Sequence, residues 1–196
     1  MKEQFLILPR TEFVNHDVFQ QVEGENGFLR KQWPKLWESD EYGKRTSEPD
    51  DQVTHFLGIE NGVVISHVKV FKRSFKLEDN TYLMVGLGEV LVRPEERGKG
   101  YGSNITDVST NWIKEVAEKD KIDIAMLICK PDLVPFYSKF GWQKLPNSKG
   151  IKYGVSEEES HPTEDGQVTM AIYLSDKAKD SKERIESSHL YLGRLY

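Results

Sequence analysis

The stretch Val92-Arg-Pro-Glu-Glu-Arg97-Gly98-Lys99-Gly100-Tyr101-Gly102-Ser103 decides how this chain is read. It joins a strand ending in Glu-Val-Leu-Val (89–92) to an amphipathic helix expected over 103–119. In that helix Ile105, Val108, Trp112, Ile113 and Val116 recur at i, i+3, i+4 spacing. Three alternating glycines let a backbone approach a ligand closely, with N–H groups that no Cβ shields. The helix start behind them adds unsatisfied N–H groups and the positive end of the helix dipole. The segment therefore predicts a pyrophosphate cradle, with Arg97 and Lys99 adding charge from its rim. A P-loop is excluded, because Lys99 is followed by Gly100 and not by Ser or Thr. A dinucleotide fingerprint is excluded too. Counted from Gly98 and Gly100, its third glycine falls on Ser103, and no acidic residue closes the next strand near Cys129.

Upstream of the cradle, 53–60 reads as a strand, Asn61-Gly62 as a hairpin turn, and 63–70 as the returning strand. A further strand is expected over 71–77. Glu78-Asp79-Asn80 turns it into another over 82–92, which Arg93-Pro94 ends. Downstream, 122–129 is apolar apart from Asp123, fit for a strand buried on both faces and parallel to its neighbour. Residues 132–140 read as a short helix closed by Gly141, and 168–174 as one more strand. At the N-terminus, 5–8 reads as a first strand, 14–29 as a loose helix and 32–37 as an aromatic-rich connection or short helix. Residues 38–52, dense in charge, Ser and Pro, read as a mobile surface loop. The charged stretch 177–188 is expected to be a solvated helix or linker. One domain over 1–196 is expected, with 177–196 as a C-terminal extension.

Composition narrows the function classes. The chain has 196 residues, enough for one domain with a full core. Hydrophobic residues at 37% and charged residues at 30% indicate a soluble globular balance. A formal net charge of -5 argues against a nucleic-acid partner and weakly favours cationic molecules or basic peptides. Cys129 is the only cysteine, so neither an internal disulfide nor a thiolate zinc site is expected, and a reducing compartment fits. It reads as a small apolar residue. The histidines (16, 55, 67, 161 and 189) lack ligand spacing, so no metal is expected, and His55 and His67 are expected to be satisfied or surface-facing. No G-x-S-x-G offers a serine nucleophile. No apolar run approaches the roughly 20 residues of a membrane span, and the start lacks a signal-peptide cleavage pattern. A cytoplasmic protein with no membrane partner is expected.

The pattern Arg-x-x-Gly-x-Gly from Arg97 to Gly102, behind a strand and an x-Pro-x-x turn, resembles the coenzyme A signature of the GNAT N-acetyltransferase superfamily. Pro135-Phe136-Tyr137-Ser138-Lys139-Phe140-Gly141-Trp142 is similar to the Phe-Tyr-x-Lys-x-Gly-aromatic segment after that superfamily's second cofactor strand. The resemblance implies an α/β (α+β) fold: a central mixed, mostly antiparallel sheet with a splayed parallel strand pair and helices on both faces. It implies acetyl-CoA as co-substrate. The main chain of Val90, Leu91 and Val92 would hold the pantetheine arm, and Arg97, Gly98, Lys99, Gly100, Tyr101, Gly102 and Ser103 the diphosphate. It also implies that Tyr137 is the acid that meets the departing thiolate. Phe136 and Phe140 are read as core.

An ammonium substrate must lose a proton before its nitrogen can attack a thioester. Glu89, in an otherwise apolar strand, is a paired structural charge, an outward-facing residue, or a functional base with a raised pKa, acting directly or through water. The order of strands, Gly-Leu-Gly-Glu89, cradle, Tyr137 segment and His161-Pro-Thr-Glu164-Asp165-Gly166 also looks like the aminoglycoside 2'-N-acetyltransferases. That resemblance implies Glu89 as base through water, Glu164 and Asp165 as contacts to a polycation, and Tyr196 near the substrate. The expected partner is a small-molecule amine. The alternatives are a protein or peptide amine, a polyamine or, in another class, a non-catalytic acyl-CoA sensor. A homodimer is compatible with this reading.

Overall fold

The structure, a computed structural model, describes residues 3–34, 52–146, 151–153, 161–162, 166–188 and 190–192. Among these, seven strands, β1 (Gln4–Pro9), β2 (Val53–Glu60), β3 (Val63–Leu77), β4 (Asn80–Val92), β5 (Ile124–Cys129), β6 (Gln143–Lys144) and β9 (Val168–Tyr173), form one sheet. Its order is β1-β2-β3-β4-β5-β9-β6. Three short strands, β7 (Ile151–Tyr153), β8 (His161–Pro162) and β10 (Leu190–Tyr191), form a second in the order β10-β7-β8. The helices are α1 (Arg10–Phe13), α2 (Val18–Val22), α3 (Phe28–Gln32), α4 (Tyr101–Asp120), α5 (Val134–Ser138), α6 (Asp176–Asp180) and α7 (Lys182–Ser187). The parallel pair in the large sheet is β4 with β5, as expected. It runs from Met84 opposite Ile124 to Leu87 opposite Leu127, although β4 continues to Val92 and β5 to Cys129. Most of the loop expected over 38–52, and residues 35–37 before it, lie outside the described residues.

The chain divides into two compact units. The first is built on residues 1–71 and 89–109. Here β2 and β3 meet at Asn61 and Gly62, both with positive φ (53° and 76°), the turn whose twist matches a hairpin. The pairing slips by one residue between Gly58 and Ile59, a β-bulge. β3 runs unbroken through the two segments expected as separate strands, since nothing in Val70-Phe71-Lys72 supplies a turn. The loose helix expected over 14–29 is instead α2 and the start of α3. A Cβ at Gly27 would stand 2.3 Å from the Val22 carbonyl oxygen, so the chain must bend there and only glycine fits. Helices of four or five residues have no stability of their own. Phe13, Val18, Val22, Phe28 and Leu29 hold them by burial against Leu8, Leu57, Val64 and Leu91. Each such side chain contributes about 1.5–3 kcal/mol.

Helix α4 starts at Tyr101, two residues before its expected start. Its inward row is Ile105, Ser109, Ile113 and Ala117, with Thr106 and Thr110 beside it, while Val108, Trp112 and Val116 are only half-buried. The Ser109 hydroxyl donates to the Ile105 carbonyl at 2.9 Å, which lets a polar residue sit in that row.

The second unit is built on residues 72–88 and 110–195. β5 is buried through Ile124–Leu127 between β4 and the antiparallel β9, which accounts for its apolar run. Asp123, the polar exception, ties this region together. Its carboxylate accepts the Leu83 backbone N–H (2.9 Å), the Ser175 hydroxyl (2.7 Å) and the Lys177 ammonium (3.3 Å). Ser175 in turn caps α6 by accepting the Ala178 N–H at 3.1 Å. The stretch 177–188 is thus not a solvated linker. Ala178 and Ile185 are fully buried, and the Tyr82 hydroxyl donates to Ser181 at 2.8 Å. Trp142, also buried, donates its indole N–H to Thr110 at 3.1 Å.

Replacing Asp123 with Ala removes the acceptor of the part-buried Leu83 N–H and of the Ser175 hydroxyl, while Lys177 keeps the Thr81 carbonyl. We expect Asp123→Ala to lower unfolding stability by about 2–4 kcal/mol, read by urea denaturation. A loss below 0.5 kcal/mol would show that water replaces the carboxylate without penalty.

Candidate active site

A short 3-10 turn (Pro94–Glu96) follows β4 and leads into the glycine segment. Arg93 is a structural pin: its Nε donates to the Val64 carbonyl at 2.5 Å, and its guanidinium lies 5.0 Å from the Phe28 ring centre. Arg97 donates to the Val92 carbonyl (3.2 Å) and to the Gln32 side chain (3.0 Å). Lys99 is paired with Glu96 at 2.7 Å, so part of its charge is already used.

Gly98 (φ 80°) and Gly100 (φ 94°) are left-handed, and a Cβ at either would meet nothing within 4 Å. The glycines there serve the backbone conformation and an open face, not tight packing. Gly102 differs. Its φ is not positive, and a Cβ would make an ordinary 3.5 Å contact with Val92. The N–H groups of Ser103 and Asn104 both bond to the Gly100 carbonyl, at 3.0 and 3.1 Å. Those of Gly98, Lys99, Gly100, Tyr101 and Gly102 have no backbone partner among the described residues. Five amides around an open turn at the start of a 20-residue helix fit a diphosphate. The Tyr101 hydroxyl donates to Glu60 on β2 at 2.5 Å, and that bond, ahead of burial, pushes the phenol up to about 12. Asn104 donates to Glu3 at 2.8 Å.

On the strand before the cradle, Leu91 is buried and Val90 and Val92 are half-buried. Glu89 has φ 51°, left-handed in a non-glycine residue, a conformation that costs about 1–3 kcal/mol. Its carboxylate is 2.7 Å from the Lys69 ammonium and about a quarter exposed. Burial pushes this carboxyl up, but Lys69 and then His67 outweigh it, so its pKa lies below the usual carboxylate range. The raised pKa expected of a functional carboxylate here is therefore corrected: the neighbouring cation decides the sign. The Glu89 carbonyl accepts from His67 at 3.2 Å, and His67 lies 2.9 Å from His55. Both imidazoles are fully buried and bonded, not surface-facing.

In the second unit, Tyr137 on α5 is 6% exposed. Burial, then Cys129, raises its pKa, so the phenol is protonated at neutral pH. Its hydroxyl makes no hydrogen bond among the described residues, whereas its ring meets Phe136 edge-on at 4.9 Å. Phe136 and Phe140 are half-buried rather than core, because α5 has only five residues and one inward position. Cys129 is buried against Met170 (3.8 Å), and burial pushes its thiol up to about 11, unsuited to nucleophilic attack. Glu164, Asp165 and Tyr196 lie outside the described residues. Lys69, His55, His67, Glu60 and Gln32 escaped the sequence reading as site neighbours, since each reaches the site only through strand register or loop packing. No helix among the described residues is long and apolar enough to cross a membrane.

An open glycine turn at a helix start, with amides that have no backbone partner among the described residues, is a geometry that a diphosphate fits. The acetyltransferase (GNAT) domain family matches residues 14–145, and the chain belongs to that family. That family is one of acetyltransferases of the GNAT type. The fold of this chain is similar to that of YhbS, a GNAT family N-acetyltransferase from Escherichia coli in complex with CoA. Identity there is 13% and TM-score 0.57, over 99% of this chain and 90% of that one. It is also similar to a bacterial toxin (15%, TM-score 0.55, 96% and 98% covered). A probable N-acyltransferase from Enterococcus faecalis matches 74% of this chain at 18% identity and TM-score 0.50, and this chain spans 33% of its length. No curated protein matches the chain in sequence.

The two kinds of glycine predict different outcomes. Gly100→Ala loses a left-handed position worth about 1–2 kcal/mol and should weaken acetyl-CoA binding about tenfold by calorimetry. Gly102→Ala should leave it within about twofold. The buried histidines predict acid sensitivity. His67 has a folded pKa of about 4, lowered first by burial, against 6.5 unfolded. The unfolded state therefore takes up the proton first as pH falls. This stability is fully present above pH 6.5 and is lost towards pH 4, by about 3 kcal/mol. Urea midpoints that stay level from pH 7.5 to 4.5 would contradict it.

Proposed function

We propose that the acetyl acceptor is a primary amine on a small cationic molecule, with aminoglycosides the first class to test, and that Glu89 and Tyr137 are catalytic. The observation that carries this reading is the ionised Glu89 carboxylate at a left-handed kink immediately before the Val90–Val92 segment and the cradle. When bound, acetyl-CoA supplies the acetyl group as a thioester whose sulfur leaves as thiolate. The main chain of Val90, Leu91 and Val92 lines up the pantetheine arm like an added strand. The amides of Gly98 to Gly102 hold the diphosphate, with Ser103 closing the turn and Arg97, Lys99 and Tyr101 at its rim. Glu89, present as the anion at neutral pH, attracts the ammonium and takes its proton, directly or through one water, as the nitrogen attacks. Tyr137, a protonated phenol, donates to the departing sulfur. Glu164, Asp165 and Tyr196 are proposed as acceptor contacts.

A panel of aminoglycosides, polyamines and peptide amines, assayed by release of free coenzyme A, identifies the acceptor class. With a confirmed acceptor, Tyr137→Phe and Glu89→Gln should each lower kcat about 10- to 100-fold while acetyl-CoA still binds. Unchanged turnover in both variants would remove their assigned roles. Cofactor binding with no turnover of any amine would favour an acyl-CoA sensor.

A further inference from the structure

The Glu89 carbonyl ends a chain of largely buried polar groups whose direction is fixed at both ends. Glu23 binds the Arg10 guanidinium through both carboxylate oxygens, each 2.7 Å from the same Arg10 nitrogen. That nitrogen lies 3.4 Å from His55 Nε2. His55 Nδ1 lies 2.9 Å from His67 Nε2, and His67 Nδ1 lies 3.2 Å from the Glu89 carbonyl oxygen. A guanidinium can only donate and a carbonyl can only accept. His67 must therefore carry its proton on Nδ1, leaving Nε2 to accept. His55 must then carry its proton on Nδ1 as well, leaving its own Nε2 towards Arg10. A second proton on either ring would set two donors against each other. Phe13 stacks on His55 with ring centres 3.9 Å apart and planes within 15°, which holds that ring in place. His55, His67 and Phe13 are fully buried, so water does not compete for these bonds.

We propose that His67 is a positioning residue for acetyl transfer: the Arg10–His55–His67 chain holds the Glu89 peptide in its left-handed conformation and so fixes where the Glu89 carboxylate sits. This rests on reading Glu89 as the base. A relaxed, extended Glu89 would project its side chain differently from the strand and away from its 2.7 Å pairing with Lys69. His67 never needs to touch substrate. Its effect passes through the Glu89 carbonyl.

The test pairs spectroscopy with two variants in the full-length protein. Long-range proton–nitrogen correlation spectra of the imidazoles should show both His55 and His67 as the Nδ1–H tautomer at pH 7. An Nε2–H tautomer on either ring overturns the chain, whatever Glu89 does. His67→Asn keeps an amide donor near the Nδ1 position, whereas His67→Gln moves it towards Nε2. With a confirmed amine, His67→Gln should lower kcat about 10- to 100-fold with the KM for acetyl-CoA within about twofold, and His67→Asn should recover most of that loss. Equal kcat in the two folded variants, or a larger loss in His67→Asn, overturns the positioning role. If only His67→Asn folds, a kcat within about fivefold of the unaltered protein supports the proposal and a larger loss overturns it. If neither folds, His55→Asn, which keeps the Nδ1-side donor to His67, is read by the same fivefold criterion. Glu89→Gln is run alongside. Unchanged turnover there removes the base assignment, while the tautomer spectra still judge the chain by itself.

Discussion

Five backbone amides, from Gly98 to Gly102, have no carbonyl to bond among the described residues, and the proposed site is organised around them. A helix always leaves its first N–H groups unpaired, and water usually satisfies them. Here the glycines at 98 and 100 are left-handed, and the space a Cβ would fill at each is open. A diphosphate can then accept several of them at once, and it meets the positive end of the helix dipole as well. Side-chain charge is secondary at this point. Lys99 is shared with Glu96, and Arg97 is bonded to Val92 and Gln32, so part of the side-chain charge is already engaged.

The same logic of backbone conformation held by buried partners recurs at Glu89. A left-handed glutamate in a strand is costly by itself. It persists because the carbonyl has a buried donor in His67 and the side chain has a cation in Lys69. Paired in this way, Glu89 is an anion rather than a carboxyl with a raised pKa. An anion at neutral pH is the form the proposed base role requires. Tyr137 shows the opposite trend, its phenol kept protonated by burial.

Much of the fold was legible in residues with only one physical use. Asn61-Gly62 announced a hairpin, the apolar run at 122–129 a buried strand parallel to its neighbour, and the glycine spacing at 98–102 a left-handed turn into a helix. These features are local: a turn type, a periodicity, a missing Cβ. The errors arose where packing overrode local pattern. The segment 14–29 looked helical until Gly27 met the Val22 carbonyl, and 177–188 looked solvated although Ala178 and Ile185 are buried.

The surroundings of Glu89 were not legible, and the reason is register. An Asn-Gly turn that pairs Glu60 with Val63 would, if carried straight along the hairpin, put His55 opposite Val68 and leave the two histidines on opposite faces. The bulge at Gly58 and Ile59 shifts the ladder by one residue. His55 then stands opposite Lys69 and Leu57 opposite His67, so both histidines and the lysine share one face. Sequence by itself determined the left-handed glycine turn at the helix start, because such turns and helix ends act through neighbours along the chain. Only the tertiary structure decided the charge state and support of Glu89, because a one-residue slip moves every later side chain to the other face of a strand.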